Sequence, residues 1–200
     1  MPNNHESQPV FQAGAKLTEA RAVMIAIHGR GGSAQDILGL ADVISSEDVA
    51  LFAPQANRST WYPQSFLAPI ETNEPGLSSA LNVMDTLLTK LTKEDFPSDK
   101  IILMGFSQGA CLATEFAARH AQRFGGVIGF SGGLIGPPGT SRDYVGAFDG
   151  TPVFLGCSDV DFHIPLERVK ETTEVMGRMG ATVDEKIGRE SWRERVCTEV

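Results

Sequence analysis

The sequence predicts a three-layer α/β fold with a mostly parallel central sheet flanked by helices. Short runs that are apolar on both faces alternate with amphipathic stretches of helical period, as a parallel sheet covered by helices requires. The 200 residues suit one domain with its own core. No internal repeat or low-complexity linker divides them.

Six runs read as strands in order: Val23–Ile27, Val49–Ala53, Ile101–Gly105, Val127–Phe130, Pro152–Gly156 and a weaker Thr182–Ile187. Between them, Asp36–Ile44 carries Ile37, Leu40, Ala41 and Ile44. Leu77–Leu91 places Leu77, Ala80, Leu81, Met84, Leu87, Leu88 and Leu91 on one stripe. Gln108–Gln122 is rich in small residues, and Leu166–Met179 carries Val169, Val175, Met176 and Met179. In such sheets, sites form outside the carboxyl ends of the strands, so chemistry is expected in the loops that follow them.

Composition narrows the function. Apolar residues make up 42% and charged residues 21%, which is ordinary for a globular protein. A net charge of −8 lacks the positive field that holds phosphate backbones, so a nucleic-acid partner is not expected. The three cysteines are Cys111, Cys157 and Cys197. They have no CxxC spacing, which fits a reducing compartment and speaks against a zinc cage. The polar N-terminus has no signal pattern and no apolar run reaches about 20 residues. A cytoplasmic protein without a transmembrane segment is expected, and the Asn57-Arg58-Ser59 sequon is then chance.

The third run leads into Gly105-Phe106-Ser107-Gln108-Gly109, a G-x-S-x-G between strand and helix. A sharp strand-to-helix turn would present Ser107 as a nucleophile, with glycines two residues either side allowing the close approach. The small Ala110 and Cys111 permit tight packing beneath it. The alternative is a plain glycine-rich turn that happens to contain a serine. Acyl transfer also needs two backbone N–H groups aimed at a developing oxyanion. One is expected from Gln108 and the other from Arg30, in His28-Gly29-Arg30-Gly31-Gly32 after the first run. The glycines Gly29, Gly31 and Gly32 let the backbone turn its amides outward. No P-loop or dinucleotide spacing is present, and His28 is read as ordering the loop rather than as a base.

The loop after the fifth run, Gly156 to Pro165, is where a triad carboxylate is expected. Asp161 is preferred over Asp159, which would shape the turn. Asp159, Asp161 and His163 also alternate like metal ligands, a weak signal, so no metal is expected.

With HGRGG, GFSQGA, the FSGG after the fourth run and the SDxD…IP loop followed by Leu166-Glu167-Arg168 in hand, the chain resembles the phospholipase/carboxylesterase (acyl-protein thioesterase-like) branch of the α/β-hydrolases. The resemblance spans roughly Ala22–Ile187. It implies an α/β-hydrolase-type sandwich and a serine hydrolase of carboxylic esters, lysophospholipids or acyl thioesters, with no cofactor. It also implies that Trp61 and Tyr62, in the long loop after the second run, face substrate. Packing within a surface loop is the alternative for both. Asp161-Phe162 stands where the family often has Asp-Pro.

In the family the base follows the final strand, in a glycine-rich loop. Here the four histidines are His5, His28, His120 and His163. His5 reads as part of a polar tail, His120 as lying far along the helix after the elbow, and His163 as too close to Asp161. The expected domain is 1–187. Residues 188–200 read as an atypical tail, with six charged residues in thirteen, leaving the last strand/helix region incomplete. Slow turnover is therefore expected. A non-catalytic relative that binds acyl or lipid ligands is the alternative.

Overall fold

The computed structural model describes residues 5–158, 161 and 163–188. Seven strands form one sheet in the order β1-β3-β2-β4-β5-β6-β7. They are β1 (Val10–Gly14), β2 (Ala22–Ile27), β3 (Val49–Pro54), β4 (Ile101–Phe106), β5 (Gly126–Phe130), β6 (Pro152–Ser158) and β7 (Thr182–Gly188). The helices are α1 (Ala34–Ile44), α2 (Gly76–Lys93), α3 (Gln108–Arg119) and α4 (Leu166–Arg178). Every strand pair is parallel except β1 on β3.

All six expected strands form, and β1 is an addition. Four of its five residues are exposed and VFQAG shows no clean alternation, so its apolar signal is weak. Its placement is set by antiparallel pairing of Val10–Gly14 with Pro54–Ala50. It covers the free edge of β3, which is why all six residues of β3 are buried. The opposite edge, β7, carries Asp184, Glu185 and Lys186 and is at most half-buried.

Alternate residues of the strands face two apolar layers. Val23, Ile25, Ile27, Leu103, Val127, Val153 and Leu155 point to the layer built with α2, α3 and α4. Met24, Ala26, Met104 and Phe130 point to the layer built with Ile37, Leu38 and Ala41 of α1. The α2 stripe is buried at Leu77, Ala80, Met84, Leu87, Leu88 and Leu91, as its spacing predicts. α1 starts with a reciprocal cap: Ser33 Oγ accepts from the Asp36 amide, and the Asp36 carboxylate accepts from the Ser33 amide at 2.9 Å. α3 is central, with Gln108 through Ala118 all buried, and its small residues permit that closeness.

The N-terminal segment differs from expectation. His5 is 1% exposed. Its Nδ1 accepts from the Asn57 amide at 3.0 Å, its Nε2 donates to the Trp61 carbonyl at 2.8 Å, and its own amide donates to Ser79 Oγ. A polar sequence concealed a residue whose every hydrogen-bonding group is satisfied inside.

Candidate active site

β4 ends at Phe106 and α3 begins at Gln108, so Ser107 alone makes the turn between them. Its backbone sits at φ 52 and ψ −118, a conformation that costs a non-glycine residue free energy and concentrates at functional sites. A Cβ at Gly105 would lie 2.2 Å from the Gly109 carbonyl oxygen, and one at Gly109 would lie 2.1 Å from that of Ile27. Both glycines are therefore steric requirements of the bend. The Ser107 amide donates to Phe130 O at 2.8 Å, fixing the turn to β5, and Ser107 O accepts from the Cys111 amide to start the helix.

The segment 28–32 lies against this turn. A Cβ at Gly29 would lie 3.3 Å from Ser107 Cβ. Gly31, at φ 78, holds a left-handed conformation and donates its amide to Ser59 O, while Gly32 donates to Gly29 O. Among the described residues, the amides of Arg30 and Gln108 have no hydrogen-bond partner. The Arg30 guanidinium donates to the carbonyls of Tyr62, Pro63 and Gln64 at 2.9, 3.0 and 2.7 Å. The Gln108 side chain ties the same loop down: it accepts from the Trp61 amide and donates to Tyr62 O, both at 2.9 Å.

His28 is 1% exposed. Its Nε2 accepts from the Ala56 amide at 3.0 Å, so Nδ1 carries the proton and donates to Gly29 O at 2.7 Å. Burial lowers its pKa below the ordinary histidine value, keeping the ring neutral. Both nitrogens are engaged by backbone, so neither reaches Ser107.

Asp161 follows β6. Its Oδ1 accepts from the amides of His163 at 2.9 Å and Ile164 at 3.1 Å. Asp159 and Phe162 lie outside the described residues. His163 is exposed and lines a cavity of about 450 Å³ together with Ser107, Gln108, Arg30, Tyr62 and Cys111. Asp161 does not line this cavity and is tied to it by its hydrogen bonds to the amides of His163 and Ile164. His120 is remote: it caps the far end of α3, stacks on Phe116 at 4.3 Å between centroids, and lies 3.8 Å from Asp85. Among the described residues, no three His, Cys, Asp or Glu side chains group as metal ligands.

Trp61 and Tyr62 are fully buried. The Trp61 ring packs between His5 and His28 and does not line the cavity, whereas Tyr62 forms part of its wall. The Tyr62 hydroxyl is buried beside the Cys111 thiol. Burial pushes that thiol up to about 12, so it stays protonated although it sits one helical turn from Ser107. Cys111 was findable from its i+4 spacing to Ser107, which puts it on the same helix face. Phe66, which carries no motif, also lines the cavity, as does Ile164 of the SDxD…IP loop.

A mostly parallel seven-stranded sheet, helices on both faces and a serine at a strained strand-to-helix turn together define an α/β-hydrolase fold. The family model described as phospholipase/carboxylesterase matches residues 10–196, and the chain belongs to that family. It is 26% identical over 176 residues to acyl-protein thioesterase 1 of Saccharomyces cerevisiae, covering 78% of this chain and 77% of that one. A phospholipase/carboxylesterase crystal structure from Dyadobacter fermentans superposes with a TM-score of 0.88 at 38% identity, over 91% of this chain and 87% of the other. The Bacillus cereus carboxylesterase, at 18% identity, shares the fold with a TM-score of 0.75, covering 95% and 90% of the two chains. Among the described residues, no helix is long and apolar enough to cross a membrane.

Proposed function

We propose that this protein is a serine hydrolase of carboxylic esters, of the carboxylesterase, lysophospholipase or acyl-thioesterase type. Ser107 Oγ attacks the carbonyl carbon, and the amides of Arg30 and Gln108 hold the oxyanion that forms. The tetrahedral adduct collapses with loss of the alcohol or thiol, leaving an acyl group on Ser107. Water then attacks the acyl carbon and releases the acid. The observation that carries this reading is the strained Ser107 turn with the two unpaired amides beside it.

A base must take the Ser107 proton and return one to the leaving group. Among the described residues, His163 lines the cavity that Ser107 shares with Tyr62 and Cys111, whereas both ring nitrogens of His28 are held by backbone. His163 is a poor relay. Asp161 is two residues away and its Oδ1 is held by the backbone amides of His163 and Ile164, so this oxygen is not free to orient the ring. Slow turnover follows.

That same observation favours a second reading: a site that binds acyl ligands and does not turn them over. Hydrolysis of p-nitrophenyl acetate separates the two, combined with mass spectrometry of Ser107 after exposure to an alkyl fluorophosphonate. Turnover lost in Ser107→Ala, with a Ser107 adduct, supports the hydrolase. No turnover and no adduct in the unaltered chain supports the binding protein. Rapid turnover abolished by His163→Ala would make His163 an effective base.

A further inference from the structure

Ser107 opens onto two cavities, of which the one lined by His163 and Tyr62 is described above. The second has a volume of about 510 Å³ and lies on the other side of the Gly29–Gly32 backbone, along α1. Its wall near the serine is Phe106 and the glycine loop. Its far wall is Ile37, Leu40 and Val43, with Gly39 among them.

Two features of this groove have no account in the packing of the protein itself. Gly39 is in the middle of α1, where glycine weakens a helix relative to any ordinary residue. A Cβ there would meet no atom within 4 Å, so no neighbour demands its absence. What the missing side chain does is leave the groove open. Val43 is 47% exposed, one of few large apolar side chains so exposed, and stands at the end of the groove away from Ser107. Residues 36, 40 and 43 follow the i, i+4, i+7 spacing of one helix face. From Asp36 to Val43 is about 10 Å of helix axis, the reach of an octyl chain. The charged groups of the lining are Arg30 and Asp36, and both are occupied: Arg30 by three carbonyls and Asp36 by the Ser33 cap. The stretch beyond them is apolar.

We infer that the α1 groove holds a medium-length alkyl chain of the ester whose carbonyl faces Ser107. The inference rests on the proposed hydrolase site for its orientation and on the groove alone for its chemistry. The chain belongs to the acyl or to the alcohol portion of the substrate, and the two are told apart by which one shows length dependence.

The test has a binding arm and a turnover arm, both on the full chain. In the first, 11-(dansylamino)undecanoic acid is titrated by fluorescence into the unaltered protein and into Ser107→Ala. Octanoate should displace it and acetate should not. Gly39→Leu, which fills the groove with a good helix former, and Val43→Arg should each weaken the probe at least tenfold, with the melting transition retained. Unchanged affinity in both variants, or a tenfold loss in Phe66→Trp instead, places the chain in the other cavity and overturns the inference. In the second arm, kcat/KM is compared for p-nitrophenyl octanoate against acetate, and for octyl acetate against ethyl acetate. The ratio that drops tenfold in Gly39→Leu identifies the portion. A ratio that stays constant in both series overturns the inference. Absence of any turnover sinks the hydrolase reading, and the binding arm still decides the groove.

Discussion

The indole N–H of Trp61 donates to the carbonyl oxygen of His28 at 2.8 Å. This bond joins the long loop after β3 to the segment that faces Ser107. The Trp61 amide donates to Gln108 Oε1, and its carbonyl accepts a hydrogen bond from His5 Nε2. One aromatic residue therefore locks the loop bearing Tyr62, the turn bearing Arg30 and the first residue of α3 into one arrangement.

Trp61→Phe keeps most of the ring and removes the donor. The His28 carbonyl is then left buried without that partner, which costs about 1–3 kcal/mol. Urea unfolding should show this loss with an unchanged slope. Activity should fall further than global stability does, because the freed carbonyl belongs to the segment that aims the Arg30 amide.

Acid should weaken the fold in a defined window. Burial lowers the pKa of both His5 and His28, and each ring holds a neutral tautomer between two backbone groups. The unfolded chain takes up protons near the ordinary value of about 6.5, while the folded chain resists them. Stability is therefore fully present above that value and declines as pH falls below it. Nearby Asp36 favours the charged form of His28 and moderates the effect there. Urea midpoints between pH 7.5 and 5 should fall, and should fall less in His5→Gln, which has one such ring fewer.

Much of this arrangement is legible in the sequence and some is not. The elbow could be read because G-x-S-x-G reflects a steric necessity that the 2.2 and 2.1 Å approaches at Gly105 and Gly109 make explicit. β2 to β6 could be read because strands covered on both faces leave apolar runs, and β7 only as a weaker one, since Asp184, Glu185 and Lys186 interrupt it. β1 could not, since an exposed edge strand has no such constraint. His5 could not, because its burial depends on Asn57, Trp61 and Ser79, all more than fifty residues away. Trp61 was placed near the site by resemblance, and it is there as a support behind the cavity wall.

Gly109→Ala tests the steric claim. The added methyl would overlap the Ile27 carbonyl oxygen, and backbone on both sides is held by β2 and by α3. Relief requires moving a central strand, so a loss of at least about 3 kcal/mol is expected, in the upper range for a single substitution. Gly39→Ala, also a helix glycine but facing open space, should instead gain up to about 1 kcal/mol. Paired thermal melts of the two variants make the comparison, and equal effects would contradict it.

The Phe66 segment of the cavity wall is tied to a buried carboxylate that does not itself line the cavity. Glu115 is 1% exposed on α3. It accepts from the Ile135 amide at 3.0 Å, from Tyr144 Oη at 3.0 Å and from Arg119 Nε at 2.7 Å, with Arg142 at 4.0 Å. Burial and this carboxylate push the Tyr144 hydroxyl up to about 12, so it remains the donor. Arg142 in turn binds the Ile135 carbonyl and Glu171, while Arg168 binds the carbonyls of Leu134 and Gly136. The Gly136 amide donates to the carbonyl of Phe66, which lines the cavity. Removing Glu115 leaves the Ile135 amide and the Tyr144 hydroxyl without their acceptor, and a buried donor left unpaired costs about 1–3 kcal/mol. Glu115→Ala should therefore be destabilised, and adding Arg142→Met should cost less than the sum of the two single losses, because both variants release Ile135 and Tyr144. A double-mutant cycle by urea unfolding measures the coupling, and strict additivity would contradict it.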